Sequence, residues 1–368
     1  MLPVVQELAQ RRAVIAFLPA DGPLENALRE AGAEIRPGFE LSAALRRTSR
    51  HYGISSLPRV VGEAGLQQTR LVRALRGEAF AAAYCNGYRA QLGATVPSLI
   101  ARIPLIWHVR DFIPTGFIGS VWSFLSRRAA LVVANSAATA TQPTLNGMRR
   151  QPIVIPNGID LEIFRAREGE PPGPPLVGMA AHLTEWKGHS RFLRILRAVR
   201  ETMPDARGAI AGGAIYDTAD QRRNLERVTA EVTRLGLSDA CAIEAIAPTE
   251  MPGWLGKLTV LVHCPDRPEP FGRALAEAMA VGVPIVAAAG EGAAEVLGPS
   301  AVIAPLGDEN AVVRGVVQVL NDPHRRSALT AAGQARARDQ YDVHVYATRV
   351  AEAILEVAER ADAEASRS

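Results

Sequence analysis

Short apolar runs alternate with helix-forming segments along almost the whole chain, and this alternation most limits what the chain can fold into. The runs fall at residues 13–18, 80–85, 104–108, 131–134 and 152–155. They resume at 176–181, 208–211, 241–245, 259–263, 284–289 and 301–304. Runs without regular polar alternation suit strands buried on both faces. Helices between successive strands supply the crossovers that parallel pairing requires. The expected class is therefore α/β with parallel sheets. A Pro/Gly-rich stretch at 168–175 separates the two groups of runs and argues for two sheets. At 368 residues and 48% hydrophobic content, the chain is long and apolar enough for two cores.

The richest local pattern is Arg267-Pro-Glu-Pro-Phe-Gly-Arg-Ala-Leu-Ala-Glu-Ala-Met-Ala280. An apolar strand at 259–263 leads into a proline-broken loop, then an Ala-rich helix over 271–281 that Gly282 and Pro284 stop. Glu269 thus lies on a loop at the mouth of a strand, and Glu277 about two turns into the next helix. Between them Phe271, Gly272 and Arg273 form a helix start whose free N–H groups attract anions, and Gly272 allows close approach. Taken singly, either glutamate fits a solvated surface.

The whole string resembles the E-x7-E signature of the retaining, family-four nucleotide-sugar glycosyltransferases, also called glycosyltransferase group 1. That resemblance implies a GT-B architecture: two Rossmann-like, doubly wound parallel-sheet domains facing across a cleft. The implied organisation is an N-terminal acceptor-side domain over 1–156 and a nucleotide-sugar domain over 157–342. A C-terminal helix over 343–368 would cross back to the first. The turn Pro156-Asn-Gly-Ile-Asp160 resembles the family's junction between domains.

Further residues enter by the same resemblance. Val177 to His189 reads as strand, loop and helix start, and resembles the family's loop with Arg and Lys-Gly. Lys187 is one of two lysines in the chain, and His182 stands where Arg is usual. A histidine carries charge only part of the time near neutral pH, so a weaker or pH-dependent donor site is expected. Neutralisation of the diphosphate would fall on Lys187, on backbone N–H groups and on Arg273. Ala289-Gly-Glu-Gly-Ala-Ala-Glu-Val296 reads as strand end, Gly loop and helix start. Its Gly290, Gly292 and Glu295 resemble another donor loop, although Glu295 equally suits a helix first turn. His108 in His-Val-Arg-Asp111 resembles the histidine that faces the transferred sugar; a satisfied structural histidine is the alternative. Asn86-Gly87 and Asn135-Ser136 resemble strand-end elements and also fit ordinary caps.

The implied chemistry is retaining transfer from a nucleoside-diphosphate sugar to a hydroxyl acceptor: a glycan, a lipid-linked acceptor or a small molecule. Glu277 would hold the ribose, Glu269 the sugar, and Lys187 the departing diphosphate. No cofactor and no divalent metal is expected, because fixed cations and N–H groups replace the metal. Closure would exclude water. A glycosidase, a sugar-nucleotide epimerase and a non-catalytic sugar-nucleotide binder are the other readings. The last arises because the family's first strand and Gly-Gly loop have no counterpart. Residues 1–10 read as the end of the first helix, which implies a start downstream of the natural one or the loss of a central strand.

Charge is uneven. Residues 1–150 carry 18 Arg, no Lys and 9 acidic groups, a balance of +9, and the remainder is −6. Arg46, Arg47 and Arg50 form one group; Arg70, Arg73 and Arg76 recur every third residue along one side of a helix. Such a surface suits anionic lipid headgroups or a lipid-linked acceptor, or is simply a solvated face. No nucleic-acid motif occurs. Cys85, Cys241 and Cys264 are odd in number and lack metal spacing, which suits a reducing compartment. The apolar stretch 278–290 is interrupted and falls short of the roughly 20 residues a spanning helix needs. With no secretory pattern at the start, the expectation is a cytoplasmic protein, with the inner face of the membrane as its working place.

Overall fold

A computed structural model describes residues 1–18, 22–38, 57–113, 115–148, 150–212 and 219–367. The group Arg46, Arg47 and Arg50 lies outside these. The chain divides into two compact units. One comprises Met1–Pro156 with His344–Ser368, the other Asn157–Val343.

The first unit holds β1 (Val14–Leu18), β2 (Ala33–Pro37), β3 (Ala83–Asn86), β4 (Leu105–Val109), β5 (Leu131–Ala134) and β6 (Ile153–Val154). Among the described residues these form two sheets, a parallel β1-β2 pair and a parallel β3-β4-β5-β6 sheet. β4 is buried along its whole length, and β1 is half-buried throughout. β2 has no apolar run to announce it: Ala33-Glu-Ile-Arg-Pro37 carries two charges and a proline. A strand at an edge tolerates both, and Arg36 bonds Glu34 at 2.7 Å and Glu78 at 2.6 Å. β3 begins later than the expected residue 80. Phe80 instead turns its ring toward Phe17 of β1, with centroids 6.3 Å apart.

Three helices bear on later arguments. Leu57–Arg76 and Tyr88–Ala101 pack together, with Gln68 donating to the Gly93 carbonyl at 2.9 Å. Phe117–Ser126 follows β4 and turns Trp122 inward, where its indole N–H donates to the Gln91 side chain at 2.8 Å. The helix Val343–Ala365 belongs to this unit from His344 on. Arg349 donates to the Val154 carbonyl at 3.1 Å, and Arg12 pairs with Asp362 at 2.8 Å.

The second unit is a six-stranded parallel sheet. Its strands are β7 (Leu176–Ala180), β8 (Arg207–Ala211), β9 (Cys241–Glu244), β10 (Val260–His263), β11 (Ile285–Ala289) and β12 (Val302–Pro305). The spatial order is β12-β11-β10-β7-β8-β9. Alternate residues of one strand enter two different cores, as a period of two demands. Val260 and Val262 pack with Phe192, Leu196 and Val316, whereas Leu261 packs with Leu255, Leu275 and Val296. Helices therefore cover both faces. Right-handed crossovers from β7 run outward in both directions, so the direction of winding reverses between β7 and β10.

Candidate functional site

Where winding reverses, the loops after two neighbouring strands diverge and leave a crevice at their carboxyl ends. In the second unit those loops follow β7 and β10. The β7 loop carries His182 and Lys187; the β10 loop carries Glu269. Lys187 Nζ lies 2.5 Å from Glu269 Oε2, with 18% and 11% of the two side chains exposed. The Trp186 ring supports the ammonium, 4.0 Å from its centroid. Residues separated by a long stretch of sequence thus meet at the switch point.

Backbone contacts lock the two loops together. The Asp266 N–H donates to the Trp186 carbonyl at 2.8 Å. Arg191 donates to the Pro265 carbonyl at 3.1 Å and pairs with Asp266 at 2.9 Å. Gly188 has φ +82°, and a Cβ there would lie 1.9 Å from the Cys264 carbonyl oxygen. Only glycine fits both demands.

Three helices start at this end of three adjacent strands. His189–Thr202, Arg273–Val281 and Glu291–Leu297 begin after Gly188, Gly272 and Gly290, and no side chain caps any of them. Their first-turn N–H groups and aligned dipoles give the crevice a positive bias without a full charge. The helix after β10 starts at Arg273, two residues later than expected. Phe271 is 3% exposed and turns its ring edge-on to Tyr341 at 5.5 Å, so its side chain is core.

Glu277 is buried, and Arg273 Nε bonds its Oε1 at 2.7 Å. Burial raises the Glu277 pKa above the usual carboxylate range, and the Arg273 charge opposes that rise. Arg273 itself is exposed and is engaged with Glu277. The expected Gly loop at 289–292 is not a loop: Gly290 is the residue before the helix, and Gly292 lies in its first turn. A Cβ on Gly292 would lie 2.4 Å from the Glu269 carbonyl oxygen, and one on Gly290 2.9 Å from Pro268 Cβ. Both glycines let this helix press against the Glu269 loop. Glu295 is half-buried, and its carbonyl accepts from Arg336 at 2.7 Å.

His182 favours its neutral form. Burial first, and then the Lys187 charge, lower its pKa below the ordinary histidine value. In the free protein it is therefore predominantly neutral at and above pH 7 and adds no standing cation. His263, at the end of β10, carries no signal in the sequence beyond its strand-end position. Its pKa is lowered to about 3 by burial and by Lys187, and its Nε2 has no hydrogen-bond partner. His189 is also buried, and its pKa is lowered to about 4, chiefly by burial. Both groups bind protons more readily in the unfolded chain. Stability is thus present above the unfolded value near 6.5 and is lost as pH falls, down to about 4 for His189 and about 3 for His263. Between pH 7 and pH 5, His189 alone is expected to remove about 2 kcal/mol. His189→Asn should flatten the dependence of thermal midpoint on pH over that interval, and an unchanged slope would refute the assignment.

His108 lies on the first unit, in fully buried β4. Its Nδ1 is 2.5 Å from the Tyr84 hydroxyl, and its Nε2 has no partner. Burial, then Arg110, hold its pKa well below the ordinary range. Gly87 and Ser136 stand before helices, and Ser136 forms a capping box with Thr139, so the Asn135-Ser136 element acts as a cap.

Two Rossmann-like units, with cations and helix starts gathered at a switch point, define the GT-B class of sugar-transferring folds. The model of the family described as glycosyl transferases group 1 matches residues 160–336. The chain is 30% identical over 244 residues to the lipopolysaccharide core biosynthesis mannosyltransferase LpsB of Rhizobium meliloti, covering 62% of this chain and 67% of that protein. It is 29% identical over 216 residues to a GDP-mannose-dependent alpha-(1-6)-phosphatidylinositol monomannoside mannosyltransferase of Mycolicibacterium smegmatis, covering 54% of each. The matches thus span about half to two thirds of these relatives. The solved structure of Anabaena Alr3699/HepE in complex with UDP-glucose shares the fold, with TM-score 0.76 and 23% identity over 96% of this chain and 94% of that one. The chain belongs to the group 1 glycosyltransferases.

Proposed function

We propose that this chain binds a nucleoside-diphosphate sugar at the β7/β10 switch point and transfers the sugar, with retention and without a divalent metal, to a hydroxyl acceptor. The observation that carries this reading is the Lys187–Glu269 pair, set among helix starts that no side chain caps. An anion entering there meets Lys187 and free N–H groups. Glu269, relieved of part of its pairing, can accept hydrogen bonds from sugar hydroxyls, and Glu277 from the ribose. As the bond to the diphosphate breaks, negative charge grows on the leaving group, and fixed donors stabilise it without reorganising. His108, which the resemblance assigns to the transferred sugar, lies fully buried in the first unit. Burial keeps its ring neutral, and when Tyr84 donates to Nδ1, Nε2 carries the hydrogen and is left as a donor.

Two relatives are mannosyltransferases by name, one of them GDP-mannose-dependent, and the fold neighbour was solved with UDP-glucose. Calorimetric titration with GDP, UDP and ADP therefore names the donor class. Glu277→Ala is expected to weaken the preferred nucleotide roughly ten- to a hundredfold, the worth of a charge-assisted hydrogen bond or two. Equal affinity in both proteins, or no nucleotide bound by the folded wild type, would refute the donor site. Relatives that glycosylate a phosphatidylinositol mannoside or lipopolysaccharide core favour a lipid-linked acceptor for this chain, met at the cytoplasmic face of a membrane.

A further inference from the structure

We propose that the helix layer carrying Tyr88–Ala101 and Phe117–Ser126 is a docking surface for an anionic lipid bilayer. The donor reading is not needed for this inference, which specifies the membrane contact suggested above. The two helices connect β3 to β4 and β4 to β5, so right-handed crossovers set them side by side on one face of the sheet. The bond from Trp122 to Gln91 ties them together. Their outer faces are apolar where a solvated helix would be polar. Val96, Leu99 and Ile100 are 45%, 42% and 44% exposed, and Phe117, Ile118 and Phe124 are 84%, 52% and 60% exposed. A set of large exposed side chains on adjoining helices marks an interaction surface, unlike scattered single ones.

Charge selects the occupant. Across residues 57–159, which include the neighbouring helix Leu57–Arg76, the sequence has eleven arginines and three acidic residues, Glu63, Glu78 and Asp111. Arg102 and Arg127–Arg128 directly follow the two apolar helices, and all three are exposed. Arg128 also stacks on Phe124, 5.5 Å from its ring centroid. Arg70, Arg73 and Arg76 are exposed on the neighbouring helix Leu57–Arg76, and Arg76 donates to the Ile100 carbonyl at 3.2 Å. Aromatic and aliphatic side chains flanked by arginines that outnumber the acidic residues match an interface of acyl chains beneath anionic headgroups. Among the described residues no helix is long and apolar enough to cross a membrane.

The test is flotation of the purified full chain with vesicles of phosphatidylcholine alone and of phosphatidylcholine mixed with phosphatidylglycerol. The wild type should float with the mixed vesicles, remain behind with the neutral ones and lose binding as salt rises. Arg127→Gln with Arg128→Gln should weaken binding about thirtyfold, and Phe117→Ser with Phe124→Ser should abolish flotation. These side chains are exposed, so both variants should keep wild-type melting and nucleotide binding. Should the serine variant fail to fold, the glutamine variant decides alone. A wild type that ignores anionic vesicles, or folded variants that bind them unchanged, would overturn the proposal. So would a concentration-dependent dimer that the serine variant abolishes, because a second copy would then cover the face.

Discussion

Lys187→Ala is expected to lower glycosyl transfer about a hundred- to a thousandfold, the usual loss when one fixed donor to a developing negative charge is removed. The same substitution leaves Glu269 largely buried without its 2.5 Å partner. Breaking such a pair from one side costs about 3 kcal/mol, so the variant should also denature at lower denaturant. The two effects can be separated. Lys187→Met combined with Glu269→Gln removes both charges and should regain most of the lost stability, while transfer stays lost. Denaturation midpoints and initial rates for Lys187→Met, Glu269→Gln, their combination and the wild type form a closed cycle. If the double variant is no more stable than either single one, the pair does not hold the loops. If Lys187→Ala transfers sugar at the wild-type rate, the ammonium has no part in the reaction.

The second large effect belongs to backbone geometry. Gly188→Ala forces an L side chain to φ +82° and drives its Cβ to 1.9 Å from the Cys264 carbonyl oxygen. The left-handed conformation alone costs about 1–2 kcal/mol. The contact is with backbone, so it can be relieved only by parting the two loops. A total near 4 kcal/mol is expected, at the upper end of single-substitution effects. Gly253→Ala is the matched control: it has no positive φ and nothing within 4 Å of the added Cβ. It should be neutral or stabilising by about 0.5 kcal/mol. Equal denaturation midpoints for the two variants would show that the close approach at Gly188 is not a constraint.

Much of this arrangement is legible in the sequence because it rests on local patterns. The strands of the second unit are continuous apolar runs, and their parallel order follows from being buried on both faces. Glu269, the helix start at Gly272 and the Lys187-Gly188 step are each bounded by turn chemistry. Other features depend on tertiary contacts that no local pattern encodes. β2 is an edge strand, so its charges and proline carry no strand signature. Phe271 sits within a motif rich in polar function, yet its ring fills the core against Tyr341. Gly290 and Gly292 look like a phosphate loop but serve helix packing against residues 268–270. His182 looks like a cation until the nearby ammonium and its own burial are taken into account. The meeting of Lys187 with Glu269 requires the crossover topology, and spacing along the chain says nothing of it.

The last helix, Val343–Ala365, has a consequence for how the protein is made. Val350, Ala351, Ile354 and Ala358 are buried, and Tyr346 lies against His108, 6.2 Å between ring centroids. Residues 1–156 are therefore made before the second unit, and residues 344–368, which complete their own unit, are made after it. Asn157–Val343 can close its own sheet once it has emerged. Residues 1–156 must wait for the segment from His344 on with part of their apolar surface uncovered. Domains ordinarily fold in the order of their synthesis; here that order is reversed. A nascent chain stalled just before Val343 should present a protease-resistant second unit and a labile first one.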